Sequence, residues 1–88
     1  MLTEESLLQF PCDFPIKAMG HSGPDFQQLV IGIIERHAPD LDRATLRVQP
    51  SRHGRYESVT LTVCASSRAQ LDAIYQELSV HERVLVAL

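Results

Sequence analysis

Two arginines and a histidine, Arg52, His53 and Arg55, crowd around Gly54 in the stretch SRHGRYESVTLTV, residues 51–63. Positive side chains set so closely can hold a carboxylate or a phosphate. The same residue types return at two other breaks in the apolar pattern: His21 in GHSG, residues 20–23, and His81 and Arg83 in SVHER, residues 79–83. A helix starting just after GHSG would add free N–H groups and about half a positive charge at its first turn. If the fold gathers these loops, Gly20, His21, Ser22, Gly23, Arg52, His53, Arg55, His81 and Arg83 make a ligand site for a small anion. The plainer reading stays open beside it: turns are polar, and arginines on a hairpin keep a sheet edge soluble.

Other chemistries find less support. Zinc sites combine His and Cys at short fixed spacings; here four histidines and two cysteines are irregularly spaced, so neither a metal nor a cofactor is expected. Cys12 and Cys64 become neighbours if the first strand starts beside the end of the third. A redox pair is then one reading, and two thiols acting as small hydrophobes the other. A phosphate-cradling hydrolase loop of the acylphosphatase kind needs an asparagine, and the chain has none. No Ser-His-Asp or Cys-His arrangement emerges from spacing. The chain is therefore expected not to be an enzyme, and no catalytic residue is assigned.

Charge narrows the partners. The formal net charge is −3, with 44% hydrophobic and 22% charged residues, whereas nucleic-acid binders are usually basic. No run of about 18 apolar residues is present to span a membrane. The opening MLTEESLLQF is acidic and lacks the basic start of a signal peptide. With two cysteines and no disulfide framework, this points to a cytoplasmic chain with reduced thiols.

The elements that must position these groups follow from periodicity. Residues 1–10 read as an arm, with Leu7, Leu8 and Phe10 able to dock on a single domain over 11–88. FPIKAM, residues 14–19, alternates as a strand, with Pro15 expected at its beginning. Pro24 to His37 reads as a helix. Pro24 fits its first position and Asp25 its positive end, and Phe26, Leu29, Val30, Ile33, Ile34 and His37 form one stripe. ATLRVQPS, residues 44–51, is a second strand, kept to an edge by Pro50. Tyr56 to Ala65 is a third, with Val59, Leu61, Val63 and Ala65 inward. Ser67 and Gln70 open a helix to about Leu78. RVLVAL, residues 83–88, is a last strand, with Val84, Val86 and Leu88 on one face and Leu85 and Ala87 on the other. The order β-α-β-β-α-β predicts a ferredoxin-like α/β (α+β) sandwich. Its antiparallel sheet has strand order 4-1-3-2, with both helices on one face. That topology brings the three polar loops to one end of the sheet.

FPCDFPIKAMG, RHAP, SRHGRYESVTLTV and LDAIYQELSVHERVLVAL, in this order, resemble the YbeD-like family of small bacterial proteins of uncharacterised function, from about Phe10 to Leu88. The resemblance implies an ACT-like sandwich, similar to amino-acid-binding regulatory domains, and a loose link to lipoate metabolism. It carries over no catalytic residue. Taken together, residues and resemblance predict a non-catalytic regulatory domain that binds a small anionic ligand or a protein partner. The alternative is a pure protein-interaction adaptor; RNA binding ranks below both. The largely apolar last strand is an edge needing cover. That predicts either a weak homodimer or cover by the N-terminal arm.

Overall fold

Alternation of β-branched and polar residues makes Tyr56–Ala65 the longest uninterrupted strand signal, and in the computed structural model, which describes residues 8–88, it forms β3. Around it stand β1 (Cys12–His21), α1 (Phe26–His37), a 3-10 turn (Arg43–Thr45), β2 (Arg47–Pro50), α2 (Arg68–Val80) and β4 (Val84–Ala87). The sheet runs β2-β3-β1-β4, the 4-1-3-2 order expected, and all its pairings are antiparallel. Ile16, Ala18, Val59, Leu61, Val63 and Ala65 are fully buried on one face of the sheet. Phe26, Val30, Ile33 and Ile34 of α1 and Leu71, Ile74 and Leu78 of α2 close the same core. Leu8 and Phe10 pack half-buried against it, while Leu7 lies outside the described residues.

Several boundaries moved, each for a local reason. β1 begins at Cys12, so Pro15 lies inside the strand rather than at its beginning. Lys17 exchanges both backbone hydrogen bonds with Leu88 across the β4 edge. By strand alternation Pro15 turns its missing N–H to that same side, past the end of β4, where no ladder bond is lost. α1 starts at Phe26, because Pro24 and Asp25 are used in a turn and the Asp25 side chain caps nothing. β2 is shorter than expected: Asp42 accepts a hydrogen bond from the Ala44 N–H and winds Arg43–Thr45 into the 3-10 turn. At the start of α2, Ser67 accepts from the Gln70 N–H, but Gln70 Oε1 reaches the Ser66 N–H instead of closing back on Ser67.

The last strand corrects the expected facing. Gly20 pairs with Val84, but Met19 pairs with Val86, so Leu85 is an extra residue bulged between them. The bulge shifts the phase of everything after it. Val84 and Ala87 therefore share the helix-covered face, and Val86 stands on the open one beside Met19. Leu85, Val86 and Leu88 remain exposed.

Candidate functional site

Register alone brings the three polar loops together. His21 at the end of β1 pairs with Tyr56 at the start of β3, and Gly20 pairs with Val84 at the start of β4. The hairpin between β2 and β3 is closed by Ser51: its backbone N–H donates to Tyr56 O, its Oγ accepts from the Tyr56 N–H, and its carbonyl accepts from the Gly54 N–H. Gly54 takes φ +73°, the left-handed conformation that glycine adopts without penalty. The Ser22 N–H then donates to Arg55 O at 3.0 Å, tying the β1–α1 loop to the hairpin. His21 lies over Tyr56, ring centroids 5.0 Å apart.

Gly20 is needed for close approach. A Cβ there would stand 2.7 Å from Phe26 Cζ and run into the Arg83 carbonyl oxygen. With no side chain at Gly20, Phe26 seats fully buried and the Arg83 guanidinium rests 6.0 Å above its ring. Asp25 holds that guanidinium through two hydrogen bonds of 3.1 Å. The hydrogen bond from Arg83 keeps the Asp25 carboxyl below its ordinary pKa, and Arg83 is raised in return, mainly by its hydrogen bond to Asp25. The charges of Glu57 and Glu82 add smaller upward contributions on Arg83. Glu57 Oε1 is itself buried with no hydrogen-bond partner among the described residues.

The nine expected site residues thus fall into three sets. Arg83 is neutralised by Asp25 and stands in the field of two further carboxylates, so an incoming anion meets repulsion there. His81 is half-buried, its Nδ1 accepting from the Arg83 backbone N–H at 3.1 Å. Gly20, His21, Ser22 and Gly23 connect the other two, with the Ser22 N–H on Arg55 O and Gly23 beside the Arg83 guanidinium. Arg52, His53 and Arg55 are exposed on the hairpin and, with Ser51 and Tyr56, line a hollow of about 330 Å³. Neither hairpin arginine forms an ion pair with any described residue. Sequence reasoning missed Asp25 as the partner of Arg83, since 58 positions separate them. It also missed Ser51 and Tyr56 as lining, although the polar alternation starting at Tyr56 carried that signal.

The cysteines are not a pair. Cys12 pairs with Ala65 and Asp13 with Cys64, which sets the two thiols on opposite faces of the sheet. Among the described residues no group of three or more His, Cys, Asp or Glu is placed to hold a metal ion, and no helix is long and apolar enough to cross a membrane.

A family model described as "Protein of unknown function (DUF493)" matches residues 5–88. A UPF0250 protein of Nitrosomonas europaea is 52% identical over 87 residues, covering 99% of this chain and 100% of that one. A UPF0250 protein of Paraburkholderia phytofirmans is 44% identical, with 96% and 94% covered. Among solved structures, protein HP0495 from H. pylori aligns with a TM-score of 0.70 at 13% identity, over 100% of this chain and 96% of that one. The ACT domain from GTP pyrophosphokinase of Chlorobium tepidum aligns at 0.65 and 15% identity, over 86% and 84%. At these identities the two structures establish the ACT-like fold.

Proposed function

This chain belongs to the DUF493 family, and we propose that it serves there as a non-catalytic regulatory domain that binds a small carboxylate or phosphate at the β2–β3 hairpin. The observation that carries the reading is the pair of exposed arginines, Arg52 and Arg55, bordering a hollow with Tyr56 while the neighbouring Arg83 is already bound by Asp25. Guanidinium groups suit such ligands because their N–H fork matches the geometry of carboxylate and phosphate oxygens. The ACT-like fold is in keeping with a regulatory role, and the resemblance to YbeD-like proteins makes lipoate and octanoate natural carboxylates to try. Binding is read by amide shifts on titration with orthophosphate, octanoate, lipoate and free amino acids. The amides of Arg52–Arg55 move first, those of Gly20–Asp25 follow through the Ser22–Arg55 hydrogen bond, and Arg52→Ala with Arg55→Ala abolishes the shifts at unchanged Tm. Shifts confined to other residues, or none with any of these probes, would overturn the site.

The outer edge of β4, which no strand among the described residues pairs, favours a second reading, self-association. The other edge strand, β2, carries Arg47, Gln49 and Pro50, which block strand addition. β4 is VLVA, with Leu85 and Val86 exposed. A second copy carries the same uncharged edge, so a twofold axis can pair the two. Sedimentation over a range of concentrations shows a concentration-dependent dimer that Leu85→Lys abolishes; a monomer throughout would refute it.

A further inference from the structure

The chain is acidic overall, yet its unpaired cations sit together. Of eight Lys and Arg residues, Arg36, Arg43, Arg68 and Arg83 are bound by Glu77, Glu35, Asp72 and Asp25. The other four, Lys17, Arg47, Arg52 and Arg55, form no ion pair with any described residue. All four lie on the open face of the sheet or on the hairpin that extends it.

The register shows how they are arranged. Lys17 pairs with Thr60 and Thr60 with Arg47, so the two cations end one row across three strands, about 10 Å apart at ~4.8 Å per strand. The next row toward the hairpin is Met19, Ser58 and Gln49, neutral and adaptable. The third is His21 and Tyr56, with Arg52 and Arg55 beyond. Lys17 and His21 are separated by about 13 Å at ~3.3 Å per residue. Between the rows lies a cleft of about 200 Å³ whose lining includes Lys17, Met19, Gln49, Tyr56, Ser58 and the acidic Glu57. By strand alternation Asp13 lies at the far end of this face beside Cys64, and Glu57, with one carboxylate oxygen buried, is the carboxylate that meets the cleft.

We propose that this face docks an extended acidic segment of a partner protein, running from the hairpin across the cleft to the Lys17–Arg47 row. A small anion reaches only one end of a platform this long. An extended chain with carboxylates on alternate residues presents one every ~6.6 Å and reaches both. The Met19 thioether and the Thr60 hydroxyl suit a mixed peptide surface. A nucleic-acid strand fits less well. Recognition of bases on an open sheet relies on free aromatic faces, and here Tyr56, the face's single Phe, Tyr or Trp among the described residues, is already covered by His21.

The surface shares Ser51 and Tyr56 with the hairpin hollow and extends beyond it, and the test separates the two through the Lys17–Arg47 row. The probe is a fluorescein-labelled ten-residue peptide of alternating Glu and Ser, followed by anisotropy at 25 and 200 mM salt; a Lys-Ser peptide and decauridylate are run beside it. The acidic peptide binds at low salt and weakens as salt rises, while the basic one does not bind. Lys17→Glu with Arg47→Glu weakens binding at least tenfold, and the milder Lys17→Gln with Arg47→Gln at least threefold. Both leave the orthophosphate shifts at the hairpin intact. Arg36→Glu with Arg43→Glu changes the net charge equally and leaves peptide binding within twofold. Absence of peptide binding, equal loss from both double reversals, or tighter binding of decauridylate through Lys17 and Arg47 would each overturn the proposal.

Discussion

Replacing Gly20 by alanine adds one methyl group where β1, β4 and α1 meet. The added carbon would lie 2.7 Å from the Phe26 ring and collide with the Arg83 carbonyl. Neither obstacle gives way easily. Phe26 is fully buried, and the Arg83 carbonyl is backbone next to Val84, which pairs with Gly20 itself. Overpacking of this kind costs about 1–3 kcal/mol. A chain of this size has roughly 4–13 kcal/mol in hand at ~0.05–0.15 kcal/mol per residue. At ~4–8 °C per kcal/mol the melting temperature falls by roughly 5–25 °C. The matched control is Gly32→Ala in the middle of α1, where an added Cβ meets nothing within 4 Å. There, relief of the glycine penalty stabilises by ~0.5–1 kcal/mol. Calorimetry or urea unfolding of both variants decides the matter, with the Phe26 ring resonances reporting displacement at the junction. A Gly20→Ala melting temperature equal to or above that of the parent would refute the close approach, and with it the account of how Arg83 is seated.

Leu61→Ala, at a fully buried position in β3, should cost about 2–5 kcal/mol in urea unfolding; a loss under ~1 kcal/mol would contradict its place in the core. Arg83 lowers the Asp25 pKa, so this pair contributes stability above the ordinary carboxylate pKa, and the contribution is lost as pH falls through the folded value. Asp25→Asn should therefore be slightly less stable than the parent at pH 7, and the two unfolding midpoints should converge on acidification; a gap that widens toward low pH would reverse the sign. Since Cys64 is exposed and Cys12 half-buried on the other face, thiol titration should modify Cys64 first. Mild oxidation of the folded monomer should then leave both thiols unlinked, as peptide mapping would show.

Local pattern determined much of this protein on its own. The alternation from Tyr56 to Ala65, the apolar stripe from Phe26 to Ile34 and the glycine at the hairpin each act over a few residues, so periodicity and turn chemistry locate them. The strand order followed because handed crossovers leave few ways to close β-α-β-β-α-β into one sheet. Three things were decided only when the elements met. The bulge at Leu85 turned Val86 to the open face, because pairing with β1 had to accommodate the Gly20–Val84 junction. Asp25, expected only to suit the positive end of the first helix, holds Arg83, a contact across 58 positions for which no local spacing exists. That pairing took one arginine out of the expected anion site. Four carboxylates bound four arginines elsewhere and left Lys17, Arg47, Arg52 and Arg55 unpaired on one surface, so a negative net charge came to coexist with a basic face. A sum over residues fixes the total charge of a chain, but its distribution depends on which side chains the fold brings within reach of one another.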